Sequence, residues 1–205
     1  MLQKRCVLAV LSALAVLIAA GSVRAEDEFN RPGFSVGLGA SGLISGFQGA
    51  LGRLDYGNTA GFNVHGGYRF NDFLALDGVY EYGNSFGRSG STFNQTITGN
   101  SSINTNAVTV GPKLILPLGR FQPYLDGGVG FVEASGNVRI TDNITGVSRS
   151  GGANGAGLAG RFGGGIDLFL TENWSLYGDN AYTITATGPS NVYYYSFGVG
   201  GRYSF

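Results

Sequence analysis

The feature that most constrains this chain is a two-residue alternation of apolar and polar side chains. It recurs from Gly33 onward, and no stretch there keeps the 3.6-residue period of a helix for long. A period of two is typical of β-strands, whose successive side chains point to opposite faces. The 37 Gly, 11 Tyr and 14 Phe residues also disfavour helices and favour strands. The alternation predicts eight strands, within residues 34–40, 62–70, 74–82, 108–118, 121–131, 162–170, 174–184 and 193–205.

The connections between these strands alternate between short and long. Residues 71–72, 119–120 and 172–173 suit tight turns. Between them lie polar stretches rich in Gly, Ser, Asn and Thr, at roughly 42–60, 85–105 and 135–155, with a shorter one near 186–191. Their regular spacing between strands favours loops over interdomain linkers. Short turns at one end and long loops at the other predict an all-β fold: an eight-stranded antiparallel up-and-down transmembrane β-barrel.

The distribution of charge indicates which face of the strands meets lipid. On the apolar face, Asn180 is the strongly polar exception, and Glu133 is the first charge, at a loop end. A soluble lipocalin-type barrel, with its polar face outside, is the alternative, but so clean an apolar face favours lipid, where charge is costly. The opposite face, predicted to line the lumen, holds His65, Arg69, Asp77, Glu81, Lys113, Asp126, Arg161, Asp167, Asp179 and Arg202.

Aromatic side chains cluster near both ends of the predicted strands, as they do at the two interfaces of a membrane. The set near the short turns comprises Tyr68, Phe70, Phe121, Trp174, Tyr203 and Phe205. The set near the long loops comprises Tyr80, Tyr82, Phe131, Tyr182 and Tyr193.

The tight turns allow pairing on the polar face to be predicted. A two-residue turn at 119–120 places Lys113 opposite Asp126. A three-residue turn at 71–73 places Gly67 opposite Asp77, with Arg69 diagonal to it. The interior of an eight-stranded barrel is just wide enough for side chains to fill. We therefore expect a lumen closed by ion pairs.

The amino-terminal residues have the composition of a signal peptide. Lys4 and Arg5 precede an apolar run over residues 7–20, and Val23 and Ala25 are the small residues flanking a cleavage site. The run is short for an uncleaved membrane anchor. We predict a signal peptide at 1–25 and a barrel domain at 26–205. Cleavage removes three of the 13 basic residues, which leaves a net charge of about −3, so nucleic acid binding is not expected. Cleavage also removes the one Cys, so a disulfide framework is not expected either.

Three segments carry a family resemblance: PYLDGGVGF at 123–131, RFGGGIDLFLTENWSLYGDNAYT at 161–183 and FGVGGRYSF at 197–205. They resemble the eight-stranded outer-membrane β-barrel family, which comprises the OmpA-like membrane domain and its stand-alone, porin-family relatives. The resemblance implies a bacterial outer-membrane location among lipid and lipopolysaccharide. It also implies a charged lumen network and loop functions such as adhesion, contact with a host or surface ligand, envelope integrity or small pores. Tyr203 and Phe205 are similar to the carboxy-terminal signal that the outer-membrane assembly machinery reads.

The residues offer little catalytic chemistry. His65 is the only histidine, and it lacks the neighbouring Ser of lipid A deacylase barrels. The glycine run at 163–165 lies between strands, whereas a phosphate cradle leads into a helix. Asp77 and Glu81 are about 13 Å apart along one strand, too far to share one metal ion. We therefore expect no enzyme activity, metal or cofactor. The leading hypothesis is a plugged scaffold with functional loops; the alternatives are a narrow porin-like channel and, third, a lipid-modifying enzyme.

Overall fold

The computed structural model describes residues 29–45, 58–92, 97–186 and 193–205. The predicted signal peptide and most of the first long loop lie outside these residues. Each strand pairs with its sequence neighbours, and the last pairs with the first, which gives a closed antiparallel barrel. The predicted fold class is confirmed. The strands are β1 (Gly33–Ser45), β2 (Thr59–Arg69), β3 (Leu74–Thr92), β4 (Ile97–Ile115), β5 (Phe121–Asp142), β6 (Ser148–Phe169), β7 (Trp174–Thr185) and β8 (Tyr193–Ser204).

Two of the predicted long loops are largely strand. Strand β3 continues to Thr92 and β4 begins at Ile97, so most of the stretch 85–105 is paired. Strands β5 and β6 stay in one register from Phe121 and Leu168 up to Thr141 and Ser148. The prediction was wrong there because these stretches are rich in Gly, Ser, Asn and Thr, which are typical of loops, while the backbone ladder continues through them.

The short turns form as predicted. Asn71 Oδ1 accepts hydrogen bonds from the backbone N–H groups of Phe73 and Leu74, at 2.9 Å each. Gly119 has a positive φ of 67°, a conformation that glycine adopts without steric cost. Thr171 Oγ1 accepts from the Trp174 N–H at 3.0 Å. The start of β1 and the end of β8 lie at the same end of the barrel as these turns, and Ser35 pairs with Ser204 there.

Large apolar side chains cover the outside of the barrel. Val129 is 71% and Phe131 64% exposed, whereas Asp126 of the same strand points inward and is 8% exposed. This arrangement is opposite to that of a lipocalin-type barrel. None of the described residues belongs to a helix that is long and apolar enough to cross a membrane.

Candidate functional site

The inward faces of seven strands bring nine predicted charged or titratable side chains into one buried group. Strand alternation alone places these side chains inside the barrel, because each residue stands at a position of its strand whose side chain points away from lipid. Arg69, the tenth predicted residue, is half-buried at the short-turn end of β2. The buried nine are His65, Asp77, Glu81, Lys113, Asp126, Arg161, Asp167, Asp179 and Arg202.

Asp167 is the centre of a cluster near the short turns. Its Oδ2 accepts from Lys113 Nζ at 2.7 Å, and Arg202 Nη1 lies 2.7 Å from each carboxylate oxygen. Lys113 Nζ also lies 3.6 Å from the centroid of the Tyr124 ring, a cation–π contact. Arg202 Nη2 is 3.9 Å from Asp77 Oδ2. One carboxylate therefore compensates two buried cations, and a second lies within reach of Arg202.

Arg161, which lies on β6 like Asp167, organises a second cluster in the lumen. Its Nη1 donates to Asp126 of β5, and its Nη2 donates to Asp179 Oδ2 of β7 at 3.0 Å. The guanidinium thus joins the strands on either side of β6. Two carboxylates accept from one cation here, the reverse of the arrangement at Asp167.

His65 connects the two clusters. Its Nδ1 is 3.1 Å from Asp77 Oδ2, and its Nε2 is 3.9 Å from Asp179 Oδ2. The ring packs edge-on against Tyr177, with 4.9 Å between centroids. His65 is 2% exposed and lies inside the barrel, which gives a lipid substrate no access to it. His65 therefore lies between the Asp167 cluster, which it meets through Asp77, and the Arg161 cluster, which it approaches through Asp179.

The predicted registers are confirmed, but the predicted ion-pair partners are not. Lys113 lies opposite Asp126, and Gly67 opposite Asp77. The Lys113 ammonium nevertheless binds Asp167, while Asp126 binds Arg161. In a closed barrel the inward side chains converge on the axis, so a long side chain reaches beyond the adjacent strand.

Arg69 was expected to lie diagonal to Asp77 in the network, but its hydrogen bonds go elsewhere. Its guanidinium donates to Gln122 Oε1 at 2.8 Å and to the backbone oxygens of Asn71 and Asp72 at 3.0 and 2.6 Å. Arg69 therefore ties the β2–β3 turn to β5 at the mouth of the barrel.

Uncharged side chains complete the lumen, and the search for charge alone missed them. Tyr177 donates its hydroxyl proton to Asn63 Oδ1 at 2.6 Å, and both residues are buried. Glu81 is held by hydrogen bonds with Tyr194 and Ser196 rather than by a salt bridge. Alternation along the strand could have identified Tyr177 as a lumen residue, since it stands two residues before Asp179 and therefore lies on the same face of β7.

An apolar layer lies on the long-hairpin side of the charges. Its members come from five strands, with Leu43 and Tyr194 each only 1% exposed. This layer places five aliphatic side chains and the ring of Tyr194 between the ion pairs and the outside. Its residues are Leu43, Ile103, Ala107, Val132, Ala159 and Tyr194.

The lipid-facing surface carries paired aromatic rings at both ends. Tyr203 stacks edge-on between Trp174 and Phe205, with centroid distances of 5.1 and 5.0 Å. Asn180, the polar exception on this face, accepts a hydrogen bond from the Tyr195 hydroxyl at 3.0 Å. The amide therefore has a partner despite facing the apolar belt.

Within the described part of the chain, no three His, Cys, Asp or Glu side chains are placed to hold a metal ion. The four buried aspartates of the lumen contact Lys, Arg and His side chains instead.

Comparison with solved structures shows the same fold at low sequence identity. Neisserial surface protein A has a TM-score of 0.54 and 17% identity, covering 84% of this chain and 97% of that one. OprG from Pseudomonas aeruginosa gives 0.51 and 15%, covering 86% and 97%. Ail, the attachment invasion locus protein of Yersinia pestis, gives 0.50 and 19%, covering 85% and 97%.

No curated protein matches the sequence. The family model described as outer membrane protein beta-barrel domain matches residues 11–205, nearly the whole chain. This match, together with the closed eight-stranded barrel and its apolar exterior, shows that the chain belongs to the outer membrane β-barrel family of bacteria.

Proposed function

We propose that this protein is a non-enzymatic outer-membrane scaffold whose lumen is closed and whose external hairpins make its functional contacts. The observation that carries the proposal is the pair of buried ion-pair clusters in the lumen, one at Asp167 and one at Arg161, with His65 between them. A permeating ion would have to displace charges that already compensate one another in a low-dielectric interior. It would then meet the apolar layer at Leu43 and Tyr194.

The β5–β6 hairpin supports a role for the external surface. From Phe131, the last aromatic of the apolar row, β5 continues to Asp142, about 36 Å along the strand at ~3.3 Å per residue. Its tip is ordered by Asp142, whose Oδ1 accepts from the Ile144 N–H at 2.9 Å. Ile144 is 77% and Val147 55% exposed at this tip. An ordered tip with exposed apolar groups favours contact with a host or surface ligand.

Export and assembly follow from the two ends of the chain. Cleavage after Ala25 would release the barrel domain, residues 26–205, into the periplasm. Tyr203 and Phe205 would then present the carboxy-terminal signal to the assembly machinery, and Phe205 is 70% exposed. In the membrane, lipid and lipopolysaccharide surround the apolar belt.

The absence of catalysis is part of this proposal and has its own test. His65 lies buried between Asp77, Asp179 and Tyr177, an arrangement that favours a structural role. Cells expressing a His65→Ala variant should keep the lipid A and phospholipid profile of the parent by mass spectrometry. A product lost only in the variant would contradict the proposal.

Single-channel recording distinguishes the scaffold from the narrow channel. The processed chain, inserted into a planar bilayer, should be silent, whereas Lys113→Ala should become leaky because Asp167 loses a partner. Glu172→Ala is the matched control, because its ion pair with Arg31 is exposed at the turn. Steady openings of the unmutated protein, with Lys113→Ala changing mainly ion selectivity, would establish the channel instead.

A further inference from the structure

Residues 29–32, which precede β1, lie at the short-turn mouth of the barrel. Asn30 is a polar residue only 6% exposed, which is unusual so close to the start of a domain. Its Oδ1 accepts from Gln122 Nε2 at 2.9 Å and from Arg69 Nη2 at 3.3 Å. This side chain is therefore bound inside the mouth.

The backbone of Phe29 makes the same two connections. Its carbonyl oxygen accepts from Arg69 Nη1 at 3.3 Å and from Gln122 Nε2 at 3.2 Å. Gln122 is itself 1% exposed and donates to the Gly119 oxygen at 3.0 Å. Arg69 on β2 and Gln122 on β5 thus form a clasp, joined to each other at 2.8 Å, that holds two consecutive residues of the amino-terminal segment.

The Phe29 ring adds an apolar contact across the mouth. It lies 5.7 Å from the Phe169 ring, and the Arg120 guanidinium lies 5.5 Å from its centroid. Next to it is a cavity of about 90 Å³ that Phe29 lines together with the exposed Arg31 and Glu172, and that reaches Asp167 and Arg202. The segment therefore covers part of the periplasmic entrance to the cavity that reaches the ion pairs.

We propose that Phe29 and Asn30 are a lid that closes the periplasmic mouth, with the Arg69–Gln122 clasp as its latch. The latch consists of hydrogen bonds between polar groups, and water can replace each of them when the segment leaves. Opening the lid would let periplasmic solutes enter the cavity. It would not open a path to the cell exterior, because the apolar layer at Leu43 and Tyr194 lies beyond the ion pairs. The inference is separate from the proposed function: a conducting lumen would not contradict a lid.

A cysteine reporter tests the lid directly, since the processed chain from residue 26 contains no cysteine of its own. Ala75 is 7% exposed and lines the cavity. Ala75→Cys, folded in lipid vesicles, would be treated with a small cationic methanethiosulfonate reagent, and the modification rate followed by mass spectrometry. Thr171→Cys, in an exposed turn at the same end, reports the unhindered rate.

The lid predicts slow modification of Ala75→Cys and a rise of at least about tenfold when Phe29→Ser and Asn30→Ala are added. Both substitutions lie outside the eight strands, and circular dichroism would be used to check that the variant folds. Gln122→Leu should act in the same direction by removing the latch, whereas Asn154→Ala, an exposed Asn on β6, should leave the rate unchanged.

Two results would overturn the lid. One is modification of Ala75→Cys in the parent as fast as that of Thr171→Cys, which would mean an open mouth. The other is equally slow modification in the parent and in the Phe29→Ser, Asn30→Ala variant, which would assign the barrier to the barrel wall.

Discussion

Arg202 of β8 donates from Nη1 to both carboxylate oxygens of Asp167 on β6, at 2.7 Å each, although β7 lies between the two strands. The same carboxylate accepts from Lys113 of β4. Three strands are thus joined through one buried side chain.

Replacing Asp167 with Asn should destabilise the barrel by about 3 kcal/mol or more, because two buried cations lose a charged partner. Urea unfolding in lipid vesicles, extrapolated to zero denaturant, measures the change. The control is Glu172→Gln, which breaks the Arg31–Glu172 pair, whose side chains are 64% and 45% exposed. That variant should change the free energy of unfolding by less than about 1 kcal/mol. Equal effects would contradict the assignment.

Asp126 should couple energetically to Arg161 more strongly than to Lys113. Arg161 donates directly to Asp126, whereas Lys113 lies opposite Asp126 in register and binds Asp167. Double-mutant cycles with Asp126→Asn, paired with Arg161→Met or Lys113→Met, measure both coupling free energies. We expect more than about 1 kcal/mol for the Arg161 pair and a smaller value for Lys113. The opposite order would favour pairing by register.

Two adjacent glycines of β8 should differ sharply in their tolerance of a methyl group. A Cβ on Gly200 would clash with the Leu38 backbone oxygen and lie 2.6 Å from Gly39 Cα, whereas a Cβ on Gly201 would meet nothing within 4 Å. Gly200→Ala should therefore cost about 1–3 kcal/mol of unfolding free energy through overpacking. Gly201→Ala, facing lipid, should stay within about 0.5 kcal/mol of the parent. Similar values in the same unfolding assay would contradict this close approach of the β1 and β8 backbones.

The tip of the β5–β6 hairpin should loosen in acid. Hydrogen bonds from the Ile144 N–H and the Thr145 side chain hold the pKa of Asp142 below its ordinary 3.8. Because the folded pKa is depressed, this stabilisation is present above about pH 4 and is lost as the pH falls through the lower, folded value. The carboxyl carbon shift of Asp142, followed by NMR, measures the pKa.

Thr145→Val tests the cause of that shift. It removes the Oγ1 hydrogen bond to Asp142 Oδ2, 2.8 Å in length, and should move the pKa of Asp142 toward 3.8. Thr141→Val, whose hydroxyl contacts Ser148, is the matched control and should leave it in place. An unchanged Asp142 titration in Thr145→Val would refute the proposed cause.

Much of the barrel could be predicted because its rules are local. Alternation placed Val129 and Phe131 outside and Asp126 inside, since each depends only on parity along one strand. The tight turn at 119–120 set the register of Lys113 with Asp126 in the same way. The extension of β5 to Asp142 escaped prediction, because its Gly, Ser and Asn residues are typical of loops, whereas the pairing with β6 that makes it a strand is a contact between distant residues.

The sequence by itself determined which face of each strand meets lipid, because a charge in hydrocarbon is costly wherever along the chain it occurs. Only the tertiary structure decided which charges pair and which residues bind at the mouth. Lys113 reaches Asp167 across 54 residues, and Gln122 holds Asn30 across 92. These contacts depend on the curvature of the closed barrel and on the reach of each side chain inside it, and neither is encoded in the spacing of residues along a strand.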